Sequence, residues 1–180
     1  MQAHFTSRHV AIAAAGGVLA VLSFSGVAQA ITDTVFKYTS PRTSYYSIGH
    51  LALNPLGSAF ATGYVRDYSG GLQTNPTACF GVGVNLPQGA TVTEVRVWYK
   101  GSTGGNPSFV FLVQRMSSAN STLFLAAGKD NTGTSQFVDV PVGSITINNI
   151  QNAYEFATCL NPNDTFHAAR ITYTAGNAGD

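Results

Sequence analysis

Charge is scarce in this sequence. Asp, Glu, Lys and Arg together make up 9% of the chain, and they occur singly rather than in blocks. Without a basic stripe there is no electrostatic footprint for nucleic acid or an anionic membrane surface, so neither is an expected partner. Histidine is almost as sparse. Only His50 and His167 lie beyond residue 30, and neither belongs to a metal-binding helix motif. With two cysteines and two distant histidines no ligand cluster forms, so no metal and no other cofactor is expected. Asp130-Asn131, following Gly128-Lys129, could donate oxygens to a structural calcium, an alternative resting on one short acidic loop. The only glutamates are Glu94 and Glu155. Both fall at outward positions of expected strands, whereas glycoside hydrolysis needs carboxylates facing one another roughly 5–10 Å apart. A Gly-x-Ser-x-Gly elbow is missing as well, and so is a glycine-rich phosphate cradle. Gly81-Val82-Gly83 sits inside a strand, where glycine permits close packing.

The first thirty residues form an export signal by composition. Arg8 precedes an apolar run from Val10 to Leu22, and the segment closes on Ala28-Gln29-Ala30. That small-x-small ending suits signal peptidase, so residues 1–30 are expected to be removed and 31–180 to form the mature, secreted, extracellular protein. The rival is a membrane anchor, since Val10–Ala28 covers 19 residues. Gly16, Gly17, Ser23, Ser25 and Gly26 dilute its apolar character, and an anchor has no need of the Ala-Gln-Ala ending. Arg8 is the only Lys or Arg among residues 1–30, which contain no Asp or Glu, so eight Lys and Arg and eight Asp and Glu remain from Ile31 onward. A chain of zero formal charge carries little mutual repulsion, which leaves a homo-oligomer open.

Cys79 and Cys159 are an even pair in an exported chain and are expected to form a disulfide. They enclose a loop 80 residues long. The 150 residues from Ile31 suffice for one hydrophobic core and read as a single domain. Val, Ile, Thr, Phe and Tyr dominate its runs, with Gly, Asn, Pro and Ser between them, and no helical periodicity appears.

Turn signals divide the chain into short strands. Asp33–Thr39 opens and stops at Ser40-Pro41-Arg42; Tyr45–Leu53 follows. Phe60–Tyr68 is ambiguous, and Ser69-Gly70-Gly71 to Asn75-Pro76 reads as loop. Ala78–Leu86, Thr91–Lys100, Ser108–Met116, Thr122–Gly128, Gln136–Val142, Tyr154–Leu160 and Thr165–Thr174 complete the series. Alternation places Val95, Val97 and Tyr99 inward and Glu94, Arg96, Trp98 and Lys100 outward. In the last strand it sets Phe166, Ala168 and Arg170 against His167, Ala169, Ile171 and Tyr173. Phe109–Met116 is apolar on both faces, as in a central strand or a subunit interface. The expected fold is all-β, an antiparallel two-sheet β-sandwich, with a jelly roll among the topologies this strand count allows.

Two stretches carry a resemblance. Leu86-Pro87-Gln88-Gly89-Ala90-Thr91-Val92-Thr93 runs into a strand, and Ala169-Arg170-Ile171-Thr172-Tyr173-Thr174 closes the last one. Together they resemble a functionally uncharacterised family of small exported bacterial proteins of actinobacterial type. The likeness runs from about Cys79 to Thr174, with a weaker match at Tyr45-Tyr46-Ser47-Ile48. It implies a β-sandwich and export, and it brings no catalytic residues.

Aromatic residues are the lead for binding. Tyr45, Tyr46, Tyr64 and Tyr68, with Tyr38, crowd the N-terminal third, and Trp98 is outward by alternation. Flat rings beside Asn and Ser can stack on sugar rings, but they also pack over the end of a sandwich or between protomers. Asp164 and His167 with a distant serine would be the catalytic alternative, although Asp164 lies in an Asn-Pro-Asn-Asp turn where a carboxylate caps its own backbone. The leading expectation is therefore a secreted, non-enzymatic interaction or structural module. A carbohydrate- or cell-wall-binding module is the alternative, and a small secreted hydrolase comes third.

Overall fold

A computed structural model describes residues 37–58, 63–67, 70–103, 105–118, 120–129 and 134–177. Residues 1–30, read above as an export signal, lie outside the described residues, as do Tyr68 and Asp130. Strand formation follows the β-branched and aromatic runs, whose alternating side chains cover a half-buried pleated surface. The strands are β1 (Lys37–Gly49), β2 (Asn54–Pro55), β3 (Tyr64–Asp67), β4 (Gly71–Thr74), β5 (Ala78–Gly83) and β6 (Thr91–Lys100). They continue with β7 (Ser108–Arg115), β8 (Ser121–Ala127), β9 (Gln136–Val140), β10 (Ile145–Thr146), β11 (Asn152–Leu160) and β12 (Thr165–Asn177).

They form two antiparallel sheets packed as a sandwich. Sheet A is centred on the β6–β12 pair; β9 and β10 flank β6, while β4, β3 and β1 lie beyond β12. Sheet B runs β2-β5-β11-β7-β8. The inner faces meet ring to ring. Tyr99 of β6 lies 5.1 Å from Phe109 of β7, and Phe166 of β12 lies 5.8 Å from Phe156 of β11. Tyr64 of β3 stands edge-on to Phe80 of β5 at 5.3 Å. These rings, with Phe111, Leu72, Leu160, Ile171 and Val92, make the dry core. The expected disulfide joins Cys79 to Cys159, which face each other across β5 and β11. No helix among the described residues is long and apolar enough to cross a membrane.

Several local expectations change. β1 passes unbroken through Pro41, because its pairing is with β12 alone and an edge strand tolerates a missing N–H. His50 begins a short 3-10 turn, His50–Ala52, rather than continuing a strand; the turn swings Leu53 into the core. Gly71, expected in a loop, starts β4. A Cβ there would stand 2.5 Å from the Phe166 carbonyl oxygen, and φ is +109°, so the glycine lets two backbones close up.

The face assignment in the last strand is corrected by a β-bulge. Register slips between Phe166 and Ala168, so His167 is the extra residue. One added residue reverses the side-chain parity, which puts Phe166, Ala169 and Ile171 inside and Ala168, Arg170 and Thr172 on the outer side. β7 is the penultimate strand of sheet B rather than a central one.

Candidate functional site

The outer face of sheet A gathers aromatic and guanidinium groups from β1, β6, β9 and β12. Cross-strand register sets Phe137 of β9 opposite Trp98 of β6, and Trp98 opposite Ala168 of β12. One residue pair further along, Asp139, Arg96 and Arg170 form the next outward row. The guanidinium of Arg170 lies 5.3 Å from the Trp98 ring and 5.1 Å from the Tyr45 ring. That of Arg96 lies 4.3 Å from Phe137. Cation and ring therefore alternate over the floor of this face. Tyr45 is 60% exposed and Phe137 54%; Trp98 is half-buried, and the small Ala168 beside it leaves its flank low.

Carboxylates hold the two arginines in place. Asp139 accepts from Arg96 Nε at 2.7 Å and from its terminal nitrogen at 3.1 Å. Glu94 meets Arg96 at 2.8 Å and Arg170 at 3.9 Å, bridging two like charges that β6 and β12 set directly opposite each other. The hydrogen bond to Asp139 is the main reason the Arg96 pKa rises above its ordinary value. Thr172 also donates to Glu94 at 3.1 Å.

A polar cleft of about 420 Å³ opens at the end of this face, beyond Trp98. Its walls carry Lys100, Gln73, Asp67, Ser135 and His167. The same register supplies them, since Lys100 pairs with Thr165, and Thr165 with Gln73. His167 Nε2 is 3.2 Å from Ser135 Oγ. The ring is also in hydrogen-bonding contact with the Gly70 backbone, which favours its protonated form. Burial lowers the His167 pKa, partly offset by the Gly70 backbone contact, with His50 and Lys100 acting in the same direction as burial.

Of the aromatic candidates, the fold unites Tyr45 and Trp98 on this face. Tyr46 and Tyr64 are half-buried and pack against the core instead. Arg66 covers the Tyr64 ring at 5.3 Å. Phe137, Arg170 and Ser135 are additions from the structure. The alternation in Gln136-Phe137-Val138-Asp139-Val140 already marks Phe137 and Asp139 as sharing a face, whereas Arg170 reaches it only through the bulge.

Asp164 has the capping role its turn implies. It is fully buried and accepts from the Asn161 backbone N–H at 2.9 Å, from the Ser102 N–H at 2.8 Å and from the Ser102 hydroxyl at 3.0 Å. It is thus committed to tying two loops together, and His167 pairs with Ser135 instead. Glu94 and Glu155 sit on outer faces of different sheets, so they cannot flank a single glycosidic bond. No group of three or more metal-ligating side chains occurs among the described residues.

No protein-family model and no curated protein matches the chain. Solved structures with a similar backbone include a Podospora anserina GH26-CBM35 β-(1,4)-mannanase, at TM-score 0.48 and 9% identity over 74% of this chain. The chain spans 28% of the length of that mannanase. The C-terminal CBM6 of LamC, a marine laminarinase from Zobellia galactanivorans, matches at TM-score 0.45 and 13% identity, covering 72% of this chain and 99% of its own. A structure of infectious bursal disease virus, Gx strain, matches at TM-score 0.43 and 8% identity, covering 78% of this chain and 33% of its own. The likeness in each case is one of overall backbone shape.

Proposed function

We propose that this protein is an exported, non-catalytic module that binds carbohydrate on the outer face of sheet A. The observation that carries the reading is the row Phe137–Trp98–Ala168, flanked by Tyr45 and opening onto the Lys100–Gln73–Ser135–His167 cleft. A sugar ring has an apolar C–H face and a polar rim. Phe137, Trp98 and Tyr45 offer flat apolar surface to the first. Arg96, Arg170, Glu94 and Asp139, already fixed by mutual pairing, offer donors and acceptors to the second. Because these groups stand on paired strands rather than loops, little ordering is needed on binding. The cleft adds an imidazole, an amide, a hydroxyl and an ammonium, a set suited to hydroxyl groups. The disulfide fits an oxidising compartment such as the extracellular space.

Affinity electrophoresis against soluble neutral polysaccharides tests the reading. The wild-type chain should be retarded by at least one of a β-glucan, a mannan or a galactan. Trp98→Ala should weaken that retardation about 10- to 30-fold, the loss expected of a central aromatic anchor worth about 1.5–2 kcal/mol, while thermal unfolding stays near wild type. Trp98→Phe should retain part of it. Unretarded migration across the panel, or retardation indifferent to Trp98→Ala, overturns the proposal.

A further inference from the structure

Glu155 is a carboxylate that the fold leaves without a counter-ion. β11, the central strand of sheet B, sets it on the outer face between Leu112 of β7 and Gly83 of β5. It is half-buried, and among the described residues it has no salt bridge or hydrogen bond. Glu94 and Asp139, by contrast, are paired with arginines, and Asp164 is capped by backbone N–H groups. A charge drawn partly out of water is costly until a cation meets it. Gly83 opens the space beside Glu155. A Cβ there would meet nothing within 4 Å, and its φ lies outside the left-handed region, so neither packing nor backbone conformation calls for a glycine. The missing side chain leaves a cleft of about 330 Å³ with Glu155 in its wall, a volume within the roughly 300–1,000 Å³ of small-ligand sites.

The rest of the wall is rich in acceptors. Asn149 donates its side-chain N–H to the Leu86 carbonyl at 2.9 Å, and its backbone N–H goes to Gln88 Oε1 at 2.7 Å. The turn is thereby fixed, and Oδ1 is left as the unused acceptor of that amide. Asn152 donates to the Tyr154 hydroxyl at 3.4 Å, which leaves its Oδ1 likewise. Met116, 59% exposed, adds a soft apolar patch, and no Lys, Arg or His is among the described residues that line the cleft. We infer that this cleft binds a protonated amino sugar, a glucosamine-type residue. Its ammonium pairs with Glu155 in a charge-assisted hydrogen bond, its hydroxyls donate to the Asn149 and Asn152 oxygens, and its C–H face rests on Met116. A lysine side chain brings the same ammonium on a bare methylene stem, with no hydroxyls for the asparagine acceptors. The cleft shares no residue with the Trp98 face, so this inference does not rest on the function proposed there.

Titration calorimetry of the purified chain tests this, with the glucosamine trimer, the N-acetylglucosamine trimer and Nα-acetyl-lysine amide as ligands, at a pH that keeps the amines charged. The glucosamine trimer should bind with a Kd of about 1 mM or tighter. The N-acetylated trimer, which keeps the frame and loses the charge, should bind at least about 10-fold more weakly, and so should the lysine amide. Glu155→Gln should weaken the glucosamine trimer by about 10-fold or more. Gly83→Leu should abolish its binding by filling the cleft. Both positions lie outside the core, and melting curves check that the variants fold. Trp98→Ala should leave this binding unchanged, which separates the cleft from the sheet A face. Absence of binding by the glucosamine trimer overturns the proposal, as does equal binding of its N-acetylated form. Binding that Trp98→Ala abolishes, or that neither Glu155→Gln nor Gly83→Leu moves, overturns it by placing the sugar elsewhere. Equal affinity for the lysine amide overturns the sugar assignment in favour of a peptide amine.

Discussion

His167 shows how one side chain takes its properties from its surroundings. Its ring lies beside the Ser135 hydroxyl and the Gly70 backbone, and burial, the largest influence, lowers its pKa below the ordinary value of 6.5. The sign of the resulting pH dependence follows. Above about pH 6.5 both folded and unfolded chains carry a neutral His167, and no stability is lost through it. As pH falls through that value the unfolded chain takes up a proton first, so stability declines until the folded pKa is also passed. His167→Gln should remove this part of the decline. Urea unfolding midpoints between about pH 8 and about pH 5 would show a shallower slope for the variant than for the wild type. A parallel slope would mean that other groups carry the acid sensitivity. The neighbouring Asp164 is settled differently, since the backbone N–H groups of Ser102 and Asn161 donate to its two oxygens and hold it as a structural carboxylate.

At the level of elements, the bulge in β12 decides what the outer face of sheet A contains. With His167 inserted, Phe166 fills the core against Phe156 and Arg170 reaches Trp98 and Tyr45. Deleting His167 would restore strict alternation. The strand would then have to choose between turning Phe166 outward and turning Ala169 and Ile171 outward. Either choice strips the core of at least one large buried side chain, at a cost of about 3–5 kcal/mol. His167→Ala keeps the register and avoids that loss. Paired denaturation curves should therefore separate deletion from substitution by at least 2 kcal/mol; equal stabilities would show that the bulge does not set the register. The edge elements read less clearly from sequence. β2 and β10 are two residues each and are defined by what they pair with, Gly81 and Phe80 for one and Val92 and Thr91 for the other.

For the molecule as a whole, the disulfide ties β5 to β11 at the centre of sheet B and closes an 80-residue loop that takes in β6 through β10. Constraint of the unfolded chain over such a loop is worth about 4 kcal/mol in the chain-entropy account. Cys79→Ala/Cys159→Ala should lower the unfolding free energy by roughly that amount, with the pairing of Ala78–Gly83 and Asn152–Leu160 otherwise intact. An unchanged urea midpoint for the double variant would show that the sheet pairing alone confines the loop. The same architecture separates two surfaces, a polar-aromatic face on sheet A and an aliphatic face on sheet B, with the ring-stacked core between them.

The sequence by itself determined the fold class, the inward set of β6 and the cysteine pair, because these depend on local matters: period-two alternation, turn residues and the presence of only two thiols. Trp98 as an outward ring was legible for the same reason. Its neighbours were not. Phe137 and Ala168 lie far along the chain and become adjacent only when β9 and β12 pair with β6. Tyr46 and Tyr64 resemble Tyr45 in composition and nearness, yet tertiary packing turns them toward the core. The parity of β12 was reversed by a single inserted residue, whose place in the pairing is set by partner strands and not by its own neighbours. Strand identity is a short-range property of the chain, and the composition of a sheet face is a long-range one.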